Sequence, residues 1–217
     1  MKEKTNYIKA LRFDSLTKIY DWLIKVWLRE KQFKEVAIET MKLSKNDTVL
    51  DLACGTATLL IMIKQKFPDV QVYGIDGDEN ILKIAEQKTK QLDVDVKLEK
   101  GLSYALPYPN GMFDKIITSL FFHHLTDRQK LDTILEIKRV LKSDGILVVA
   151  DWGKPKNTLM KLGSLIVQAF DGFEVTSTNM NGKLTKFFTD NGFANMFTIK
   201  CFNTILGTIY IYKFSKN

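Results

Sequence analysis

The sequence predicts an α/β fold, with a mostly parallel sheet of seven strands, helices on both faces and an antiparallel hairpin at the end. From residue 48 onward, short apolar runs alternate with segments of helical period, which is typical of parallel strands joined by helices. Two strand-like runs lie close together near the end of the chain, so we expect them to pair as a hairpin. A chain of 217 residues, 45% of them hydrophobic, is long enough for one such domain with a modest addition.

Five consecutive strand and helix units account for most of the predicted sheet. Pro68 excludes the helical conformation from the residue before it, so the first helix ends there. Thr126 and Gln129 have the spacing of a capping box that begins the helix after the fourth strand, and Gly145 is predicted to end that helix. The predicted strands are 48–53, 70–76, 94–100, 113–122 and 146–151, and the first two helices are 56–67 and 79–91.

The predicted domain organisation has two parts. Residues 1–45 form an N-terminal helical cap, and residues 46–217 form the main domain, with a mostly helical insertion at about 154–180. The elements predicted after the insertion are a helix at 183–190, closed by Asn191 and Gly192, and two strands within 194–213 that join near Asn203.

The predicted cap carries an apolar stripe at helical spacing. Such a stripe packs on its own domain or, alternatively, docks on a membrane or an apolar substrate. The stripe consists of Leu16, Ile19, Tyr20, Leu23, Ile24 and Trp27.

Composition argues against several classes of function. The net charge is +7, but the lysines are dispersed, so no nucleic-acid surface is predicted. The two cysteines, Cys54 and Cys201, and the two histidines lack the spacing of a zinc site or a disulfide framework, so no metal is predicted. Because no apolar run has the length of a signal peptide or a membrane span, we expect a cytoplasmic protein. Peripheral membrane association stays open, as does the choice between a monomer and a homodimer.

The turns after the first two strands indicate a cofactor that contains a nucleoside. Gly55 lies in the turn after the first strand, where a side chain would block the approach of a ligand to the backbone. Asp76 ends the second strand, and its carboxylate can accept both hydroxyls of a ribose. Two glycines of the dinucleotide pattern G-x-G-x-x-G are missing, and there is no phosphate-binding lysine motif. A cofactor with a ribose but no phosphate, such as S-adenosylmethionine, therefore fits better.

Four segments in succession resemble the motifs of the Rossmann-like class I methyltransferases that use S-adenosylmethionine. The resemblance is closest to the group of ubiquinone and menaquinone biosynthesis, and it covers residues 13–151 well and the last 65 residues in general layout. It implies that a methyl group is transferred from S-adenosylmethionine and that S-adenosylhomocysteine is released. The segments are VLDLACGTATLL, GIDGDENIL, GLSYALPYPNGMFDKIITSLFFHHL and RVLKSDGILVVADW.

The resemblance also implies which residues hold the cofactor. Leu102 stands where many relatives have an acidic residue, so recognition of the adenine falls to backbone groups and Ser103. Tyr20 matches a tyrosine that closes over the cofactor. The implied contacts are Asp51, Ala53 and Gly55 with the methionine part, Asp76 and Gly77 with the ribose, Gly101, Leu102 and Ser103 with the adenine, and Ser119 and Leu120 near the sulfonium.

His123, His124 and Asp151 are the candidate catalytic residues. The histidines follow the fourth strand at the expected active-site edge, where an imidazole can accept a proton near neutral pH, and Asp151 ends the fifth strand. Histidines in this position also cap or pack beneath helices. A base is not obligatory for methyl transfer, because the methyl group of the cofactor is already activated and the protein mainly aligns and desolvates the nucleophile.

The sequence favours a small apolar, aromatic or quinone-like acceptor. The fourth strand lacks the Asn or Asp followed by two prolines that is found in enzymes that methylate amino nitrogens of adenine and glutamine. Two alternatives remain at this point: an oxidoreductase that uses a nicotinamide cofactor, which would share Asp76, and a binding module without catalytic activity. Apolar residues of the insertion are expected to cover the acceptor: Leu159, Leu162, Leu165, Ile166, Phe170 and Phe173.

Overall fold

The computed structural model describes residues 30–216, and within this range seven strands form one sheet in the order β3-β2-β1-β4-β5-β7-β6. The first five strands of the chain pair in parallel, whereas β7 pairs antiparallel with both β5 and β6. The predicted fold class is therefore confirmed. The strands are β1 (Thr48–Leu52), β2 (Gln71–Asp76), β3 (Lys97–Lys100), β4 (Phe113–Ser119), β5 (Leu141–Gly153), β6 (Phe193–Thr204) and β7 (Gly207–Lys216).

Helices cover both faces of the sheet and bury one apolar cluster on each. Helices α1, α2, α3, α5 and α6 contribute to the cluster on one face, and α4 and α7 contribute to the cluster on the other. The helices are α1 (Glu30–Met41), α2 (Thr58–Lys66), α3 (Glu79–Gln91), α4 (Asp127–Val140), α5 (Thr158–Asp171), α6 (Phe173–Met180) and α7 (Leu184–Asp190), and a short 3-10 helix spans Phe122–His124.

The direction of the strand order reverses at β1. From β1, the chain adds β2 and then β3 on one side, and afterwards β4 and β5 on the other. Two neighbouring connections therefore leave the sheet in opposite directions, which opens a crevice beyond the carboxyl ends of β1 and β4. This crevice fixes the place of the candidate site.

The insertion between β5 and β6 consists of α5, α6 and α7. Asn157 caps α5 by accepting a hydrogen bond from the backbone N–H of Met160. Gly163 lets α5 lie directly on the β6–β7 turn, because a Cβ there would stand 1.7 Å from the carbonyl oxygen of Ile205. On α4, the buried Lys130 donates hydrogen bonds to the carbonyl oxygens of Leu125 and Val175, both at 2.7 Å, which joins α4 to α6.

The end of α4 differs from the prediction. The capping box of Thr126 and Gln129 begins the helix as expected, but the helix ends at Val140 and Gly145 lies within β5. The register between β4 and β5 shifts between Leu141 and Ile146, the stretch that contains this glycine, and a Cβ on Gly145 would stand 2.6 Å from side-chain atoms of Leu141. A glycine is therefore needed inside an irregular strand rather than at the end of a helix.

Smaller differences concern the ends of strands. β4 ends at Ser119 instead of residue 122, because Leu120 adopts a left-handed conformation with φ 52° and the 3-10 helix follows. β5 continues two residues past Asp151, and β6 continues to Thr204 before the hairpin turn. The apolar stripe that includes Tyr20 lies outside the described residues. None of the helices within residues 30–216 has both the length and the apolar composition needed to span a bilayer.

Candidate functional site

The turn after β1 has an unusual backbone. Ala53, Gly55 and Ala57 all adopt left-handed conformations, with φ of 60°, 55° and 59°. Left-handed backbone is costly for alanine and persists where the surrounding structure enforces it, often in ligand-binding sites. A Cβ on Gly55 would meet no atom within 4 Å, so open space lies in front of this residue.

Asp76, at the end of β2, connects this turn to the next one. Its Oδ2 accepts the backbone N–H of Gly55 at 2.9 Å, and its Oδ1 accepts the backbone N–H of Asp78 at 3.0 Å. Burial raises the pKa of Asp76, and the backbone N–H donors of Asp78, Gly55 and Gly77 partly offset that rise. The carboxylate is thus oriented at the crevice by backbone donors from two turns.

The loop after β3 forms the next part of the wall of the crevice. The backbone N–H of Gly101 bonds to the main-chain carbonyl of Asp76 at 3.0 Å, and a Cβ on Gly101 would stand 2.6 Å from Ile75 Cδ1. Ser103 lies in the wall, but its hydroxyl bonds to the hydroxyl of Thr133 on α4 at 2.8 Å. This buried bond turns the Ser103 hydroxyl toward α4.

These turns enclose a cleft of about 190 Å³ at the carboxyl ends of β1, β2 and β4. The predicted residues that line it are Ala53, Asp76, Gly77, Gly101, Leu102, Ser103, Leu120 and His124. The lining residues that the sequence did not identify are Leu52, Ile75, Tyr104, Phe121, Leu125 and Gln129. Four of them are apolar, and Gln129 is recognisable in the sequence only as part of a capping box, so only the folded chain identifies these residues as lining the cleft. Asp51, Gly55, Ser119, His123 and Asp151 do not line this cleft, and Tyr20 lies outside the described residues.

Asp51 lies buried in β1, and its Oδ1 has no hydrogen-bond partner within residues 30–216. Burial raises the pKa of Asp51 to about 7, Lys34 on α1 lowers it, and Asp76 raises it further. A bound cation would stabilise a buried carboxyl group that lacks a hydrogen-bond partner better than its present surroundings do.

His123 and Asp151 form a buried pair behind the cleft. His123 Nδ1 lies 2.6 Å from Asp151 Oδ1, and both side chains are almost completely buried. Asp151 also accepts the backbone N–H groups of Phe121, Phe122 and Trp152 at 3.2, 2.7 and 2.7 Å. Burial lowers the pKa of His123, but the charge and hydrogen bond of Asp151 outweigh it, so the pKa lies above its ordinary value.

His124 is the histidine that reaches the cleft. Burial and the neighbouring His123 hold the pKa of His124 well below its ordinary value, so its imidazole is neutral at physiological pH. Asp171, the last residue of α5, lies 3.8 Å from His124 Nδ1 and 3.6 Å from His123 Nε2. Burial raises the pKa of Asp171, and His123 lowers it. The sequence did not identify Asp171, which comes from the insertion, 47 positions after His124.

Comparison with known protein families identifies the family of this chain. The sequence profile of the methyltransferase domain matches residues 43–199, which include β1 to β5, the whole insertion and the first part of β6. The chain belongs to the methyltransferase domain family. The family resemblance stated from the sequence is thus confirmed.

The relatives that this methyltransferase domain matches include proteins named demethylmenaquinone methyltransferase. The demethylmenaquinone methyltransferase of Geobacillus kaustophilus is 31% identical over 147 residues, which is 66% of this chain and 62% of the relative. The protein of the same name from Lactobacillus johnsonii is 33% identical over 138 residues, 62% of this chain and 54% of the relative. The chain thus spans about three fifths of the length of the curated relatives it matches.

Solved structures share the fold of this methyltransferase domain. An S-adenosylmethionine-dependent methyltransferase from Aquifex aeolicus superposes with a TM-score of 0.65 at 22% identity, covering 94% of this chain and 99% of the other. The geranyl diphosphate C-methyltransferase of Streptomyces coelicolor, solved with S-adenosylhomocysteine, gives 0.69 at 14% identity, with coverages of 97% and 90%. At these identities the likeness concerns the fold.

Proposed function

We propose that the chain is a methyltransferase that uses S-adenosylmethionine to methylate a small apolar or aromatic, quinone-like acceptor. This proposal rests on the contact between Gly55 and Asp76. The Asp76 carboxylate is held by the backbone N–H of Gly55 and borders open space at the point where the strand order reverses. Family membership favours this function over oxidation by a nicotinamide cofactor. The names of the curated relatives support a quinone-like acceptor.

The residues present fit S-adenosylmethionine. Asp76 and Gly77 would hold the ribose, since the carboxylate keeps lone pairs free beyond its two backbone donors. The unpartnered Asp51 Oδ1 suits the ammonium of the methionine part, with Ala53 and Gly55 beside it. Gly101 and Leu102 would bind the adenine through backbone groups, because the Ser103 hydroxyl is occupied by Thr133. Ser119 and Leu120 would lie near the sulfonium.

The cofactor supplies an activated methyl group, and the chain has to align the acceptor and keep water away. Leu120, Phe121 and Leu125 give the cleft the apolar wall that excludes water. His124 would contact the acceptor, because it lines the cleft and its imidazole is neutral. His123 and Asp151 would act as positioning residues, since they hold the 3-10 helix from beneath.

Several further features belong to the same proposal. Residues 1–45 would cap the site, with Tyr20 closing over the cofactor, while residues 154–180 cover the acceptor. We propose that the protein works in the cytoplasm, without nucleic acid, as a monomer or homodimer, with peripheral contact to membranes that hold its acceptor.

Ligand-dependent thermal unfolding tests the cofactor assignment. S-adenosylmethionine or S-adenosylhomocysteine at a hundred times its dissociation constant should raise the midpoint by roughly 5–10 °C, whereas NAD should not. Asp76→Ala should abolish the rise. Formation of S-adenosylhomocysteine with reduced naphthoquinones then tests the acceptor. Stabilisation by NAD alone would overturn the proposal, and cofactor binding without transfer to any quinol would overturn the acceptor class.

A further inference from the structure

Two imidazoles and one carboxylate converge beside the cleft, and neither imidazole forms a hydrogen bond with the carboxylate. The Asp171 side chain is 4% exposed, and its oxygens lie 3.6 Å from His123 Nε2 and 3.8 Å from His124 Nδ1. Both distances exceed a hydrogen bond. Within residues 30–216, the basic groups within 4.0 Å of the Asp171 carboxylate are these two imidazoles.

The bond between His123 and Asp151 sets the direction of the first imidazole. With Nδ1–H donated to the Asp151 carboxylate at 2.6 Å, Nε2 is the ring nitrogen that faces Asp171. A proton or a metal ion on Nε2 would satisfy both this nitrogen and the carboxylate. A carboxylate on the far nitrogen of a histidine is also the usual support of a metal-binding imidazole.

The spacing suits a metal ion. The three ligand atoms all lie within 4.8 Å of one another. Bonds of ~2.1 Å that meet at roughly 110–130° would separate ligand atoms by about 3.4–3.8 Å, in agreement with the two distances to Asp171. Two imidazoles and one carboxylate favour a transition metal over magnesium or calcium, which prefer oxygen ligands.

We propose that His123 Nε2, His124 Nδ1 and the Asp171 carboxylate bind a divalent transition-metal ion of the zinc class. Three protein ligands leave a fourth position open, as in zinc sites that bind a substrate oxygen. The ion would fasten the end of α5 to the 3-10 helix, and through His124 it would lie next to the acceptor end of the cleft. Its function there would be to bind an acceptor oxygen, with His124 serving as a ligand.

Metal binding by the full-length, tag-free chain tests this site directly. Because the chain has only two histidines, imidazole ligation of added Co²⁺ or Zn²⁺ must come from His123 and His124. We expect one ion per chain by calorimetry, and a visible Co²⁺ spectrum of nitrogen and oxygen ligands that Cys201→Ser leaves unchanged. A Zn²⁺ concentration a hundred times the dissociation constant should raise the unfolding midpoint by roughly 5–10 °C.

Asp171→Asn should weaken metal binding at least ~100-fold, beyond the 10–100-fold typical of a supporting residue. Asp190→Asn is the matched control, since Asp190 also ends a helix but pairs with Lys186 at the surface. Circular dichroism verifies that both variants fold. The site is overturned if neither Co²⁺ nor Zn²⁺ binds at millimolar concentration, or if binding survives Asp171→Asn. In either case, the gap between His123 and Asp171 is assigned to a shared proton. Methyl transfer that proceeds after chelation leaves the proposed function intact and overturns only the catalytic use of the ion.

Discussion

Gly55 donates its backbone N–H to the Asp76 carboxylate at 2.9 Å, and this bond helps to connect the turn after β1 with the end of β2. The two residues are 21 positions apart in the sequence. Their contact places a backbone that a ligand can approach beside a carboxylate that can bind hydroxyl groups.

Gly55→Ala should reduce the free energy of S-adenosylhomocysteine binding by more than it reduces the free energy of unfolding. The left-handed backbone at φ 55° costs an alanine about 1 kcal/mol of stability, and the new methyl group enters the open space in front of the turn. Gly111→Ala is the matched control, because Gly111 has φ 63° and equally open surroundings but lies in the turn before β4, at the opposite end of the parallel strands from Asp76. Equal loss of affinity in the two variants, measured by calorimetry, would contradict the prediction.

Asp76→Asn should raise the dissociation constant of S-adenosylhomocysteine roughly 10–100-fold. The two carboxylate oxygens accept N–H groups of Gly55 and Asp78, whereas an amide offers one oxygen and turns its NH₂ toward the other donor. Asp78→Asn removes a charge two residues away, and asparagine retains the cap of α3. The control should therefore bind nearly as well as the parent chain, and a similar loss in both would count against a specific role for Asp76.

Affinity for the cofactor should increase as pH rises through about 7. Asp51 has a pKa of about 7 in the folded chain, so it is largely protonated below that pH, and an ammonium ligand favours its ionised form. Binding at about pH 6 should release up to ~1 proton, which calorimetry in buffers of different ionisation enthalpy measures. Asp51→Asn should remove this proton release, and retention of the full release in that variant would show that another group is responsible.

The two histidines should affect stability with opposite pH dependence. The pKa of His124 is lowered on folding, so its contribution is present above about pH 6.5, its unfolded pKa, and is lost as pH falls. The pKa of His123 is raised, so its contribution is full below about pH 6.5 and is lost as pH rises through the folded value. Urea midpoints of His123→Gln and His124→Gln between about pH 5 and 9 measure the two effects, and each variant serves as the control for the other. Parallel shifts in both would contradict this assignment.

Lys130→Met should destabilise the fold by roughly 2–4 kcal/mol. The substitution leaves the buried carbonyls of Leu125 and Val175 without their donor, at a cost of about 1–3 kcal/mol for each unsatisfied group. Lys186→Met breaks only an exposed ion pair with Asp190 and should change stability by less than about 1 kcal/mol. Denaturant titration compares the two, and a loss below about 1 kcal/mol at Lys130 would mean that water replaces the amine.

Local patterns explain why much of this molecule could be predicted from its sequence. The alternation of apolar runs and helical periods predicts the order of strands and helices, and the capping box of Thr126 and Gln129 begins α4 where expected. Gly55 and Asp76 could be identified because a turn glycine and a strand-end carboxylate carry their chemistry within a few residues. Gly145 was interpreted wrongly, since its need for a small side chain arises from Leu141 and the register shift beside β4.

The sequence by itself determined the fold class and the family, and it predicted the cofactor side of the site, because periodicity and turn chemistry act over short stretches of chain. Only the tertiary structure decided that Asp151 supports His123, that His124 reaches the cleft, and that Asp171 faces both imidazoles. These relations depend on how the insertion packs on the carboxyl end of the sheet, which joins residues separated by tens of positions. Burial then shifts their pKa values, a property that the groups acquire only when the chain removes them from water.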